Sequence, residues 1–271
     1  MIIDIHGHLG NINQAPFWAA DAATLENYLG QAGVDILCVT SSKSIMYDVR
    51  EGNADLVSAL RATKKLLGYV TVNPVFPDSI RDLDLLRRSN DDKKLIGVKI
   101  HPDYHGYDIA SARAREFLDE VAGQTPLILS HVSCMPGTGF AAAVKVAEFA
   151  ARHPRTNFVL AHMAGIYQNG LYPYFPNLEG LERVMEMQLP NVYVDTAHFL
   201  MYVYPGVMER MVELAGVDRI VFGTDMPLQG PLQARFALEI IRKLPLAAAE
   251  RDKILGGTAA RLIGLDVALG Q

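Results

Sequence analysis

Cysteine is nearly absent. Cys38 and Cys134 are the only two in 271 residues, too few for a disulfide framework, and two thiols so far apart in sequence suit a reducing cytosol. No apolar run approaches the roughly 18 residues of a membrane-spanning helix, and no basic and apolar leader precedes the first strand pattern. Neither export nor a membrane span is expected, and a cytoplasmic location is. Basic residues are in the minority, 25 against 30 acidic ones, for a formal net charge of −5. With no run of Lys or Arg to track phosphates, nucleic acid is not an expected partner. A glycine-rich dinucleotide fingerprint after the first strand is missing as well.

What is present is apolar and periodic. Half of the residues are hydrophobic and a fifth charged, enough for a large core and unlike a disordered composition. Short runs rich in Val and Ile recur at residues 2–6, 35–40, 67–72, 96–101, 127–131, 158–162, 192–195 and 220–223. Their length and continuity fit strands buried on both faces. Amphipathic stretches alternate with them at 23–32, 53–65, 79–88, 110–123, 140–152, 178–187, 206–215 and 232–244. Asn53 is the expected cap of its helix, Pro77-Asp78-Ser79 reads as a helix start, and Gly33, Gly123 and Gly216 are expected to take left-handed backbone past helix ends.

Eight strands, each followed by a helix, predict an α/β fold: a (β/α)8 TIM barrel forming one domain over residues 1–271. The pattern at 246–271 predicts a C-terminal helical extension packed on it. A doubly wound open sheet is the competing architecture.

Chemistry-bearing residues fall at strand ends. His6, His101, His131, His162 and Asp225 each stand at or just past the end of a predicted strand, on the face where such barrels keep their active sites. His153 lies at a helix end, and His105 and His198 lie in loops. His6 and His8 form a His-x-His pair whose alternation sends both imidazoles to one side, able to reach one ion at about 2.0–2.1 Å. One buried and one solvent-facing histidine is the plainer reading of that motif alone.

Asp225, after Phe222-Gly223-Thr224, is placed to complete an ion's shell or take a proton from bound water, or else to cap the next turn. His131 reads as a third imidazole ligand or a substrate contact. His162 reads as a ligand, a general base or a group that polarises a carbonyl. Lys99, His101 and His162 are candidates for a second ion or for substrate contact, and Lys99 also reads as a surface lysine. Asp4, of the same parity as His6, is expected to orient a ligand from beneath. Cys134 and Tyr107 read as pocket wall.

Asp4-Ile5-His6-Gly7-His8, His131, Leu160-Ala161-His162-Met163-Ala164-Gly165, Val221-Phe222-Gly223-Thr224-Asp225-Met226-Pro227 and Gly257-Thr258-Ala259-Ala260-Arg261-Leu262 resemble the amidohydrolase superfamily. More narrowly, they are similar to its amidohydrolase-related branch, which includes aminocarboxymuconate-semialdehyde decarboxylase and hydroxybenzoate-type decarboxylases. The resemblance implies a (β/α)8 barrel with one divalent ion, zinc first and manganese or iron as alternatives. It implies ligands at His6, His8, His131 and Asp225, with His162 acting on water or substrate. Two departures stand out. The segment 9–22 is shorter than the covering insertion of the decarboxylases. Lys99 falls where members with two ions carry a carboxylated lysine.

Two reactions share this ligand set. Hydrolysis of an amide, ester or lactone of a small molecule is the reading the short loops favour. Non-oxidative decarboxylation of a small aromatic or unsaturated acid is the alternative. In both, Asp225 and His162 are the catalytic residues. The loop at 166–177, with Tyr167, Tyr172, Tyr174 and Phe175, reads as a pocket wall for a planar or sugar-like substrate, a lid, or an oligomer contact. A metal-dependent deoxyribonuclease is disfavoured because residues 93–108 hold no glutamate. A non-catalytic barrel scaffold is the non-enzymatic reading. The expected partners are a small-molecule substrate and a second copy of the chain, as a homodimer.

Overall fold

The computed structural model describes residues 1–11, 20–88, 93–134, 138–165, 178–197, 200, 203 and 205–265. Its strands are β1 (Ile3–Leu9), β2 (Ile36–Ser41), β3 (Leu66–Thr71), β4 (Leu95–Ile100), β5 (Leu127–Ser130), β6 (Asn157–Leu160), β7 (Val192–Asp195) and β8 (Ile220–Val221). All eight predicted strands form, within a few residues of their expected limits. They are parallel and pair in sequence order from β1 to β8. A doubly wound sheet reverses its strand order part-way; this one does not, and that alternative falls.

Both faces of the curled sheet are covered, which is why its strands lack a polar side. On the outer face Leu37, Val70, Val98, Ile128, Phe158 and Val194 pack with helix residues such as Leu25, Leu56, Leu118 and Leu238. On the inner face Ile3, Ile5, Cys38, Leu67, Tyr69, Leu127, Leu129, Val159, Tyr193 and Val221 form a second cluster. Burying each Val or Leu contributes about 1.5–3 kcal/mol. The arrangement is an α/β fold of the TIM-barrel kind. Ala259, Ala260 and Leu262, from the helix Thr258–Leu262, join the inner cluster; the C-terminal extension packs as expected.

Past β8 the chain runs alongside β1. Ile5 N donates to Phe222 O at 2.9 Å, Asp225 N to His6 O at 2.8 Å and His8 N to Met226 O at 2.6 Å. These bonds fix the ends of β1 and β8 against one another, and with them the residues that follow.

Two local expectations need correction, and a third, the helix start at Pro77, is met. The third helix is Val49–Arg61, and its cap is Asp48, whose carboxylate accepts from Glu51 N. Asn53 lies within that helix, buried, where its amide bonds Thr71 N, Thr71 O and Asp82. Its polar groups serve the helix–sheet contact and not the helix end. Gly123 has right-handed backbone, whereas Gly33 and Gly216 have positive φ. The segment starting at Pro77 is a 3-10 helix, Pro77–Leu83, that continues into the α-helix Asp84–Arg88.

Candidate metal centre

Inward parity at the strand ends decides which side chains meet. Leu129 and Tyr193 face the inner cluster, so His131 and Asp195, two residues further along, point the same way. Lys99, near the end of β4, is 1% exposed. His6, His8, His101, His162 and Asp225 are all buried too.

His6, His8 and Asp225 converge, with one ligand atom from each within 4.8 Å of the others. Asp225 Oδ1 lies 2.8 Å from His8 Nε2 and 3.4 Å from His6 Nε2. His6 Nδ1 donates to Asp195 Oδ2 at 2.8 Å, which leaves the lone pair on Nε2, the atom that faces the cluster. Ligands about 2.1 Å from one centre stand about 3.0–3.4 Å apart from each other, from octahedral to tetrahedral geometry, so the three residues fit a divalent ion after a slight widening. Two imidazoles and a carboxylate suit zinc, manganese or iron.

Lys99 Nζ donates to His6 Nε2 at 2.9 Å. Burial lowers the Lys99 ammonium to about 8, with Asp225 and Asp195 opposing that fall. His6 is held well below the usual imidazole range, first by burial and then by Lys99. Burial raises Asp195 to about 7.

His131 is not in that ligand cluster. Its Nε2 donates to Asp103 Oδ2 at 2.9 Å, and its Nδ1 lies 3.1 Å from His162 Nε2. Burial lowers its pKa. Asp103 also accepts from Ser133 Oγ at 2.9 Å. The His101 ring stacks on His131, with centroids 3.9 Å apart, while its Nδ1 caps the short helix Pro102–His105 through Tyr104 N. Cys134 stands beside the two histidines: Sγ, His131 and His162 bring one ligand atom each within 4.8 Å of one another. Burial pushes its thiol up to about 12.

Asp4 works through backbone. Its carboxylate accepts from His6 N, Thr224 N and Thr224 Oγ1, joining β1 to the segment after β8, and burial raises it to about 7. The imidazole of His6 is oriented by Asp195 instead. Asp195 also accepts from His162 N at 2.8 Å and Ala197 N at 3.1 Å. These contacts secure strained backbone. His162, Met163 and Ala164 have φ of 62°, 52° and 58°, and Asp225 has 64°, each costing of order 1–3 kcal/mol outside glycine.

Sequence reasoning passed over Asp195 and Asp103. Asp195 ends an apolar strand run in the same manner as His131, and that was its available signal. Asp103, just after His101-Pro102, carried none. His198 and the aromatic loop 166–177 lie outside the described residues.

A family model described as Amidohydrolase matches residues 3–265. The chain belongs to the amidohydrolase family. The family that its motifs resemble is thereby met. No curated protein matches its sequence. Among solved structures, this amidohydrolase is similar to 2,6-dihydroxybenzoate decarboxylase from Rhizobium, with a TM-score of 0.68 at 17% identity, covering 98% of this chain and 99% of the other. 5-Carboxyvanillate decarboxylase from Sphingomonas paucimobilis has a TM-score of 0.69 at 16% identity, covering 97% and 98%. An amidohydrolase from Burkholderia multivorans with bound zinc has 0.70 at 17%, covering 98% and 99%. At such identities the likeness is one of fold.

Proposed function

We propose that this amidohydrolase is a metal-dependent, non-oxidative decarboxylase of a small aromatic or unsaturated acid, built on a closed (β/α)8 barrel of one domain. The observation that carries the reading is the buried Lys99 ammonium 2.9 Å from His6 Nε2. A divalent ion on His6, His8 and Asp225 would take the Nε2 lone pair and release the Lys99 ammonium, which then stands beside the ion to pair with a carboxylate substrate. Two decarboxylases among the solved structures of the same fold add support. Barrel closure rests on the backbone bonds between β1 and residues 222–226.

When bound, the ion supplies Lewis acidity toward the substrate carboxylate and an adjacent oxygen. Lys99 holds the acid by charge. Asp225, a carboxylate while it holds the ion, would take a proton from water and pass it to the carbon that bears the substrate carboxylate. The carbon–carbon bond would then break, its electron pair returning to the unsaturated system, and the departing CO2 would combine with the hydroxide as bicarbonate, leaving Asp225 again as the carboxylate. His162, whose ring centroid is 5.3 Å from that of His6, is the second group able to hold or return a proton. His131, held by Asp103 and next to His162, would be the third imidazole available to the ion or to the substrate. His101 stands beside it, stacked on its ring. Zinc or manganese is the expected ion. A reducing cytoplasm agrees with the two free thiols, and a homodimer is the expected assembly.

Hydrolysis is the second reading. Three protein ligands leave a position for water, with Asp225 beside it to take the proton. The two are separated by incubating the zinc- or manganese-loaded chain in D2O with hydroxybenzoates and unsaturated acids, beside lactones, esters and amides. Decarboxylation releases CO2 and places deuterium on the carbon that lost it. Hydrolysis of the second panel without CO2 from the first would overturn the proposal.

A further inference from the structure

Two polar atoms beside the ligand cluster are left without partners. His8 Nδ1 and Thr40 Oγ1 are both shut off from solvent, and neither makes a hydrogen bond to any of the described residues. A buried polar group left unpaired is costly, so each calls for a reason.

The two atoms belong to neighbouring positions. β1 and β2 run parallel with His8 in register with Thr40, and β1 carries one residue more than β2 between Asp4 and Gly7. That extra residue decides which way the end of β1 faces. A methyl on Gly7 would stand 2.7 Å from Leu37 Cδ1, and Leu37 belongs to the outer cluster. Gly7 therefore faces outward and His8 inward. On β2, Cys38 lies in the inner cluster and Val39 in the outer one, so Thr40 is inward by the same alternation. Neighbouring strands lie about 4.8 Å apart, which puts the imidazole and the hydroxyl side by side.

Ring chemistry says what His8 needs there. Its Nε2 is the atom that faces Asp225, 2.8 Å from Oδ1. An imidazole that gives its lone pair at Nε2 carries its proton on Nδ1. A ligating histidine almost always donates that proton to a neighbour that fixes the ring. For His6 the neighbour is Asp195. His8 has no carboxylate or carbonyl in that role, and Thr40 Oγ1 is the acceptor that the strand register brings alongside.

We propose that Thr40 is the positioning residue of His8: its hydroxyl accepts the Nδ1 proton while Nε2 serves the ion, the task that Asp195 performs for His6. A rotation about Thr40 χ1 or His8 χ2 closes the pair and leaves both strands in place. A hydroxyl does this without setting a third carboxylate beside Asp195 and Asp225. The proposal rests on the reading of His6, His8 and Asp225 as ion ligands, and it holds for either reaction.

The test compares zinc affinity among wild type, Thr40→Val and Thr40→Ser, using the full chain freed of metal and a competing chromophoric chelator. The thermal midpoint of each is read before and after zinc. Valine keeps the shape and loses the hydroxyl. Thr40→Val is expected to melt at or above the wild-type midpoint without zinc, because an unpaired hydroxyl is gone. It is expected to bind zinc on the order of 10-fold more weakly and to gain less in midpoint when zinc is added. Thr40→Ser is expected to recover most of the affinity. A Thr40→Val variant that binds zinc as tightly as wild type, or that loses stability before zinc is added, overturns the proposal. So does a Thr40→Ser variant as weak as Thr40→Val, which assigns the loss to packing. A wild type that takes up no zinc overturns the ligand reading itself, and this proposal with it.

Discussion

Asp195 holds His6 by its side chain and His162 by its backbone. One carboxylate oxygen accepts from His6 Nδ1 and the other from His162 N, both at 2.8 Å. The residue couples the tautomer of a proposed ligand to the strained turn that presents a proposed proton carrier.

Asp195→Asn breaks that double role, because an amide has one accepting oxygen and one donating nitrogen. Either His6 Nδ1–H or the His162 N–H then faces another donor. Metal affinity is expected to fall roughly 10- to 100-fold, read by competition with a chromophoric chelator. Affinity equal to wild type would mean that His6 needs no partner to present Nε2.

Lys99→Met keeps the length of the side chain and deletes its charge. If Lys99 holds an acid substrate, KM rises on the order of 10²-fold while the ion is retained. Steady-state kinetics with metal analysis checks this. A fall in kcat at unchanged KM would place Lys99 in the chemistry and not in binding.

Acid stability has a marked contributor in His105. Burial depresses its imidazole to about 4 from an ordinary value near 6.5, and neither ring nitrogen has a well-formed hydrogen bond. Between about pH 6.5 and 4 the unfolded chain binds the proton and the folded one does not. Stability from this group is therefore complete above 6.5 and falls as pH drops to 4, by at most about 3 kcal/mol. His105→Phe is expected to flatten that part of the pH–stability curve in urea titrations. An unchanged curve would assign acid unfolding to the carboxylates.

Gly52 allows the helix Val49–Arg61 to cross the short helix Ser42–Met46. A methyl at its Cβ position would stand 2.2 Å from Ser44 N and 2.5 Å from Ser44 Cα, both backbone. Gly52→Ala is expected to destabilise by about 1–3 kcal/mol, despite the better helix propensity of alanine. A thermal midpoint at or above wild type would show that the two helices can part.

Much of this was legible in the sequence because it is local. Strands buried on two faces announce themselves as unbroken apolar runs, and His6, His8 and Asp225 stand where those runs stop. Asp4 was legible as an inward residue but not in its task, since its partner Thr224 is 220 positions away. Asp195 was hidden in the same way, its bond to His6 spanning 189. Asn53 misled because an asparagine ahead of an amphipathic stretch looks like a cap, and only the packed structure shows Thr71 and Asp82 taking its amide. His131 was expected among the ligands of the ion; the pull of Asp103 on its far nitrogen turns its near one toward His162.

The backbone bonds between β1 and residues 222–226 set an order of events during synthesis. His6 and His8 leave the ribosome more than two hundred residues before Asp225 and the segment that pins β1. Until then the histidine pair is a flexible bidentate fragment with little hold on any ion. Capture of the proposed ion would thereby be postponed until Asp225 is in place.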